Sequence, residues 1–280
     1  MLLVNSFLIG ADPEYIALDK AGTLINVGQY TTKDAPDVAL DHNGDVLEIK
    51  PKPSKSTFRL LRRMQKLLLI HKISKDLIGA GYRLRGGAHY KTPKRMITLG
   101  GHIHFDIPCG TNQFKNQSIP MEYLSKDNQE RVKALDALTI LLEDLDILPR
   151  EDCLHRRRYG QLDYGKLSAV RGADVDNHFE YRSMCSWLYS PISTMICLTA
   201  AKIVSVYPKS MLELANPDKS ITLRNLFERV KDKDIDAARV IEKIFEPKLK
   251  LEAKVDKDIQ DTWKSLKKLG GVEGELSTAL

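Results

Sequence analysis

Four short β-like segments each place two ionisable residues two positions apart. They are Asp12 and Glu14 in A-D-P-E-Y, Glu48 and Lys50 in L-E-I-K-P, His102 and His104 in G-G-H-I-H-F, and Glu180 and Arg182 in F-E-Y-R. Residues i and i+2 of a strand point to the same face of a sheet. Strands from all four segments, joined in one sheet, would therefore gather carboxylates, imidazoles and a guanidinium in one cleft. Such a cleft is costly unless metals or anionic ligands fill it. The pattern reads as a site for divalent metal and nucleotide phosphate.

The intervening segments give the architecture. Residues 5–19 read as a strand, a turn at Lys20-Ala21-Gly22 leads to a second short strand at 23–27, and Val38–Leu40 and Val46–Ile49 flank a hairpin turn at Asn43-Gly44. Ser54 is a candidate N-cap for one long helix over 55–79, closed by Gly79 and Gly81, with Arg59, Arg62, Arg63 and Lys66 on its outer stripe. A strand over 96–107 carries the histidines. Amphipathic helix is expected over 130–148, a buried helix over 187–206, and a polar loop over 108–122. Strands and helices mix without β-α-β alternation, which predicts an α+β fold with a largely antiparallel sheet. From about residue 208 Lys, Asp and Glu dominate, with helical periodicity over 222–245 and 249–268. The expected division is therefore a catalytic domain at 1–207 and a charged helical extension at 208–280.

Composition excludes several classes. The 280 residues are 42% hydrophobic and 29% charged, ordinary for a soluble domain. The net charge of +6 suits phosphates or other anions, but aromatics at 7% give few platforms for base stacking, so nucleic acid is not the first expected partner. Cys109, Cys153, Cys185 and Cys197 show no C-x-x-C spacing, and free thiols in a reducing cytoplasm are expected. The apolar start M-L-L-V lacks a positive region and runs at once into Asp12 and Glu14, which fits a first strand better than a signal peptide. No apolar run reaches the length of a membrane span. Neither a P-loop nor a G-x-G-x-x-G nucleotide motif is present.

Each pair has a plainer alternative. Asp12 and Glu14 could be charges at a strand start, Glu48 a solvent-facing partner of Lys50, Glu180 and Arg182 a surface pair, and Arg156-Arg157-Arg158 a solvated run. Hard cations, however, take paired oxygen ligands, and two histidines at strand spacing behind two glycines favour metal or phosphate. The Tyr159-Gly160 that follows the arginine run suggests a shaped loop able to grip carboxylate or phosphate.

In this order the motifs G-A-D-P-E-Y, L-E-I-K-P-K-P-S, G-G-H-I-H-F, R-R-R-Y-G and F-E-Y-R-S-M-C-S-W-L resemble the phage-associated carboxylate–amine ligases, the type 2 amidoligases. These are related in fold to glutamine synthetase and glutamate–cysteine ligase, and the likeness covers roughly residues 5–206. The resemblance implies a curved antiparallel sheet with flanking helices, whose concave face holds ATP and two or three magnesium ions, with manganese an alternative. By position, Asp12, Glu14, Glu48, His102 and Glu180 would be metal ligands. His104 and Arg182 would lie near the phosphates, with Lys50 and Arg158 also on the nucleotide, and Arg157 would join His104 and Arg182 in catalysis. The implied substrates are a carboxylic acid and an amine, joined in the cytoplasm (a host's, if the chain is phage-encoded). Rival expectations are a metal-dependent phosphohydrolase or nuclease, and a non-catalytic protein binding nucleic acid or another partner.

Overall fold

The structure is a computed structural model. It describes residues 8–41, 44–107, 114, 117–144, 147–149, 153–154, 165–172, 178–188, 191–206 and 208. Arg156, Arg157 and Arg158, Cys109, and the helices expected over 222–245 and 249–268 lie outside the described residues.

Strands β1 (Ile9–Leu18), β2 (Val38–Asp41), β3 (Val46–Ile49) and β4 (Arg83–Arg85), a hairpin of β5 (His89–Lys91) and β6 (Met96–Thr98), and strands β7 (Gly101–Phe105), β8 (Val170–Gly172) and β9 (Phe179–Tyr181) are interspersed, among the described residues, with four α-helices. The helices are α1 (Thr57–Leu69), α2 (Lys72–Gly79), α3 (Lys126–Asp144) and α4 (Pro191–Val206). The main sheet runs β2-β3-β1-β7-β9-β8, with β4 also on β1, and every pairing is antiparallel. The expected α+β class and antiparallel sheet are thus what the chain forms.

The period-2 pattern of β1 explains the layering. Ile9, Ala11, Tyr15 and Ala17 face a core shared with Leu47, Ile49, Ile103, Phe105, Phe179 and Tyr181 and with residues of the four helices. The other face of β1 divides in two. Ile16 and Leu18 pack with Val46, Ile97 and Leu99 beneath the β5–β6 hairpin, whereas Gly10, Asp12 and Glu14 precede them on the same face. One strand therefore carries an apolar covered end and an acidic end, and the acidic end belongs to the site.

Several expected boundaries move for identifiable reasons. The strand expected at 23–27 reduces to one bridge, Leu18 to Leu24. The expected long helix splits at Ile70-His71, where the Ser74 hydroxyl donates to the freed Leu67 carbonyl at 2.8 Å. Its N-cap is Ser56, because Ser54 pairs with Ile9 at the sheet. Gly81, at φ +83°, does end α2, its left-handed backbone suiting glycine. The expected strand over 96–107 breaks at Leu99-Gly100 into β6 and β7, α3 begins four residues early, and α4 begins at Pro191 instead of Trp187. No helix among the described residues is long and apolar enough to cross a membrane.

Candidate active site

Register assembles the site. In β1–β7, Asp12 lies opposite His102 and Gly10 opposite His104; in β1–β3, Glu14 lies opposite Glu48; in β7–β9, His104 lies opposite Glu180. Directly opposed residues share a face, so all four sequence pairs project into one cleft. Glycine at position 10 keeps room there, since a Cβ would stand 3.3 Å from the Cβ of His104.

His102, 2% exposed, is the hub. Its Nδ1 lies 3.1 Å from Glu180 Oε1 and 3.4 Å from Asp12 Oδ1, and its Nε2 lies 3.9 Å from Glu14 Oε1. Glu14 is fully buried, and its other oxygen accepts the Gly100 N–H at 2.7 Å. His104 Nε2 lies 2.9 Å from Asp12 Oδ1, and Arg182 Nε lies 3.1 Å from Glu180 Oε1. Lys50 Nζ stands 3.2 Å from Glu48 Oε2. Of the two aspartates flanking the β2–β3 turn, Asp45 is ion-paired with Arg95, whereas Asp41 lies two residues beyond Ala39, which opposes Glu48, and so shares the site face.

Two residues that the sequence pattern did not single out join this set. Arg171 on β8 lies opposite Glu180, with its Nη1 3.8 Å from Glu180 Oε2, and its side chain is 34% exposed. His178 Nε2 lies 2.7 Å from His104 Nδ1. His178, Glu180 and Arg182 continue a single i, i+2 series, so the same alternation extended one step back would have found the histidine.

The charges perturb one another strongly. Burial, reinforced by the charge of Asp12 and only partly offset by Lys50, pushes the Glu48 carboxyl up to about 8. Burial would also raise Asp12, but the charge of His104 and hydrogen bonds from His102 and His104 outweigh it and hold that carboxyl well below the usual range. His104 resists the effect of burial because Asp12 and Glu180 face it, and it rises to about 9. His178 is lowered, by burial first and the His104 charge second. His104 thus stands between Asp12 on one side and His178 on the other.

Asp12, His102 and Glu180 form one group, and Glu14, Glu48 and His102 another, in which one potential ligand atom from each residue lies within 4.8 Å of the others. Carboxylate oxygens with one imidazole suit magnesium or manganese. A cation there would offset the burial and the Asp12 charge that raise the Glu48 carboxyl. The donor set therefore fits a divalent metal.

A model of the phage phiEco32-like COOH·NH2 ligase type 2 family matches residues 126–266. The chain belongs to this carboxylate–amine ligase family. The match includes α3, β8, β9 and α4, hence Arg171, Glu180 and Arg182, and it continues past residue 207. The chain is also similar to a bifunctional glutathione synthetase from Pasteurella multocida, with a TM-score of 0.49 and 12% identity, across 99% of this chain and 51% of that one. A glutamine synthase homolog gives a TM-score of 0.42 and 12% identity over 97% and 69% of the two chains. The chain spans about half the length of the glutathione synthetase. No curated protein matches its sequence.

Proposed function

We propose that the ligase joins a small-molecule or peptide carboxylate to an amine with cleavage of ATP to ADP and phosphate, through an acyl phosphate. The observation that supports this most is the register that turns Asp12, Glu14, Glu48, His102 and Glu180 to one face, with Arg171, Arg182, Lys50 and His104 around them. The two acidic groups would hold two magnesium ions, with manganese an alternative. Bound there, the metals would neutralise phosphate charge that otherwise repels an incoming carboxylate.

A carboxylate is a poor electrophile. Its oxygen attacks the γ-phosphorus, the bond to the ADP oxygen breaks, and an acyl phosphate forms. Arg182 and Arg171 flank Glu180 from two strands and suit charge on the transferring phosphoryl group. His104, beside Asp12, and Lys50, beside Glu48, would stand near the phosphates. The amine then attacks the acyl carbon, the carbon–oxygen bond breaks, phosphate leaves, and the amine's proton passes to a carboxylate of the cluster. Arg157 and Arg158 would grip phosphate or the substrate carboxylate. Residues 1–207 would form the catalytic domain and 208–280 the extension.

The test is oxygen tracing. Acid–amine pairs are screened for ADP release, and the active acid is then supplied with 18O in its carboxylate. One labelled oxygen in each released phosphate is expected, and unlabelled phosphate would rule out the acyl phosphate. Glu180→Gln and Arg182→Ala should abolish ADP formation while remaining folded; full activity in both would sink the site assignment. Magnesium-dependent phosphodiester cleavage without ATP would favour a hydrolase.

A further inference from the structure

Behind the site face, a single buried carboxylate holds the two strands that carry its cationic side. Asp136 on α3 is 8% exposed. Its Oδ1 accepts from the Ser168 N–H at 2.9 Å, the Tyr181 hydroxyl at 2.8 Å and the Ser183 hydroxyl at 3.5 Å, and its Oδ2 accepts from the Ser168 hydroxyl at 2.6 Å. Thr139, one helical turn on, places Oγ1 2.9 Å from the same Tyr181 hydroxyl.

The donors come from β9, the residues just past it, and the turn that leads into β8. Tyr181 and Ser183 alternate with Glu180 and Arg182, so the residues bonded to Asp136 point away from the site while their neighbours point into it. Ser168 lies in the turn just before β8, three residues from Arg171. Its φ of +63° is a left-handed conformation that a serine adopts only when surroundings fix it. Two bonds to Asp136 fix it here. The same turn is tied to β9 by the Arg182 N–H donating to the Ala169 carbonyl at 2.8 Å. β8 and β9 are three residues each; β9 lies between β7 and β8, and the outer edge of β8 is bonded by the 117–119 segment, where the Ile119 N–H donates to the Val170 carbonyl at 2.9 Å.

We propose that Asp136 is a positioning residue: by clamping the backs of β8 and β9 onto α3 it sets Arg171, Glu180 and Arg182 in the geometry the site requires. The inference goes beyond the ligase reading and, in its metal arm, rests on the assignment of Glu180 to metal binding.

Two measurements test it, neither needing turnover. The first is amide hydrogen exchange in Asp136→Ala and in the milder Asp136→Asn, with Tm recorded for both. Faster exchange confined to 168–172 and 179–183, with β1 and β7 still protected, is expected, larger in Asp136→Ala. Unchanged exchange, or an increase spread evenly over the sheet, overturns the proposal. The second is a double-mutant cycle read by Mn2+ titration. Asp136→Ala should weaken Mn2+ binding about 10-fold in the otherwise wild-type protein and have little effect when Glu180 is already Gln. Equal loss in both backgrounds would show general destabilisation and overturn it. If wild-type protein takes up no Mn2+, the metal assignment fails and hydrogen exchange alone decides the role of Asp136.

Discussion

Substituting Gly101 by alanine probes how tightly the histidine strand is seated. A Cβ built on Gly101 would stand 2.6 Å from Nε1 and 2.7 Å from Cδ1 of Trp187, and closer still to the Cys185 carbonyl oxygen. Ordinary contacts begin at 3.4 Å, so the overlap with the indole nitrogen is about 0.8 Å. The obstacle cannot rotate away. Trp187 is fully buried, its Nε1 donates to the Gly101 carbonyl at 3.2 Å, and the Gly101 N–H donates to the Met184 carbonyl at 3.0 Å. Relief requires β7 or the 184–187 segment to move by nearly an ångström. Overpacking of this kind costs roughly 1–3 kcal/mol, or roughly 2–5 °C in Tm for a chain of this size. Because His102 is the next residue, the site should suffer more than the fold, and a displacement near 1 Å can cost about 100-fold in rate. The assay is thermal unfolding alongside ADP release, with Gly79→Ala as control. Gly79 ends α2 with nothing within 4 Å of the methyl that alanine would add, so that change should be neutral or stabilising by about 0.5–1 kcal/mol. A Gly101→Ala protein with wild-type Tm and turnover would refute the reasoning.

Other expectations follow from the same geometry. Arg171→Ala removes a cation beside Glu180, so Mn2+ affinity should not fall, while affinity for a non-hydrolysable ATP analogue should drop about 10-fold, as expected for one charge-assisted contact; weaker metal binding with unchanged nucleotide binding would reverse the assignment. Tyr15 and Tyr181 are buried, and both hydroxyls are raised above the ordinary range, chiefly by burial. The folded chain therefore keeps protons that the unfolded chain releases above about pH 10. The stability they contribute is complete below that pH and should fall above it by about 1.4 kcal/mol per pH unit for each tyrosine. Denaturant titrations between pH 9 and 11 check this, and a flat profile would contradict it.

The acidic and imidazole part of the site was legible because strands repeat every two residues. Asp12–Glu14, Glu48–Lys50, His102–His104 and Glu180–Arg182 needed no tertiary information to be grouped in pairs, and antiparallel register then joined the pairs. Arg171 was not legible, since three residues of β8, V-R-G, are too few to display alternation. His178 was legible in principle, but A-D-V-D-N-H reads as an insertion until its last residue is placed on the β9 series. The break at Ile70-His71 is hidden in L-L-L-I-H-K, whose apolar spacing continues through it, and depends on a serine hydroxyl reaching a freed carbonyl. Asp136 looks like any polar residue of an amphipathic helix in A-L-D-A-L. Its burial arises only when the 165–169 turn and β9 close over it. Contacts set by local periodicity are thus written in the sequence, and contacts made by packing distant segments are not.

The central claim, that this sheet face binds nucleotide through metal, is tested most directly by calorimetric titration with a non-hydrolysable ATP analogue, with and without magnesium, on wild-type and His102→Ala proteins. Magnesium-dependent binding in the wild type, abolished in folded His102→Ala, is the predicted result. Absence of binding in the wild type, or binding that ignores both magnesium and His102, would contradict it.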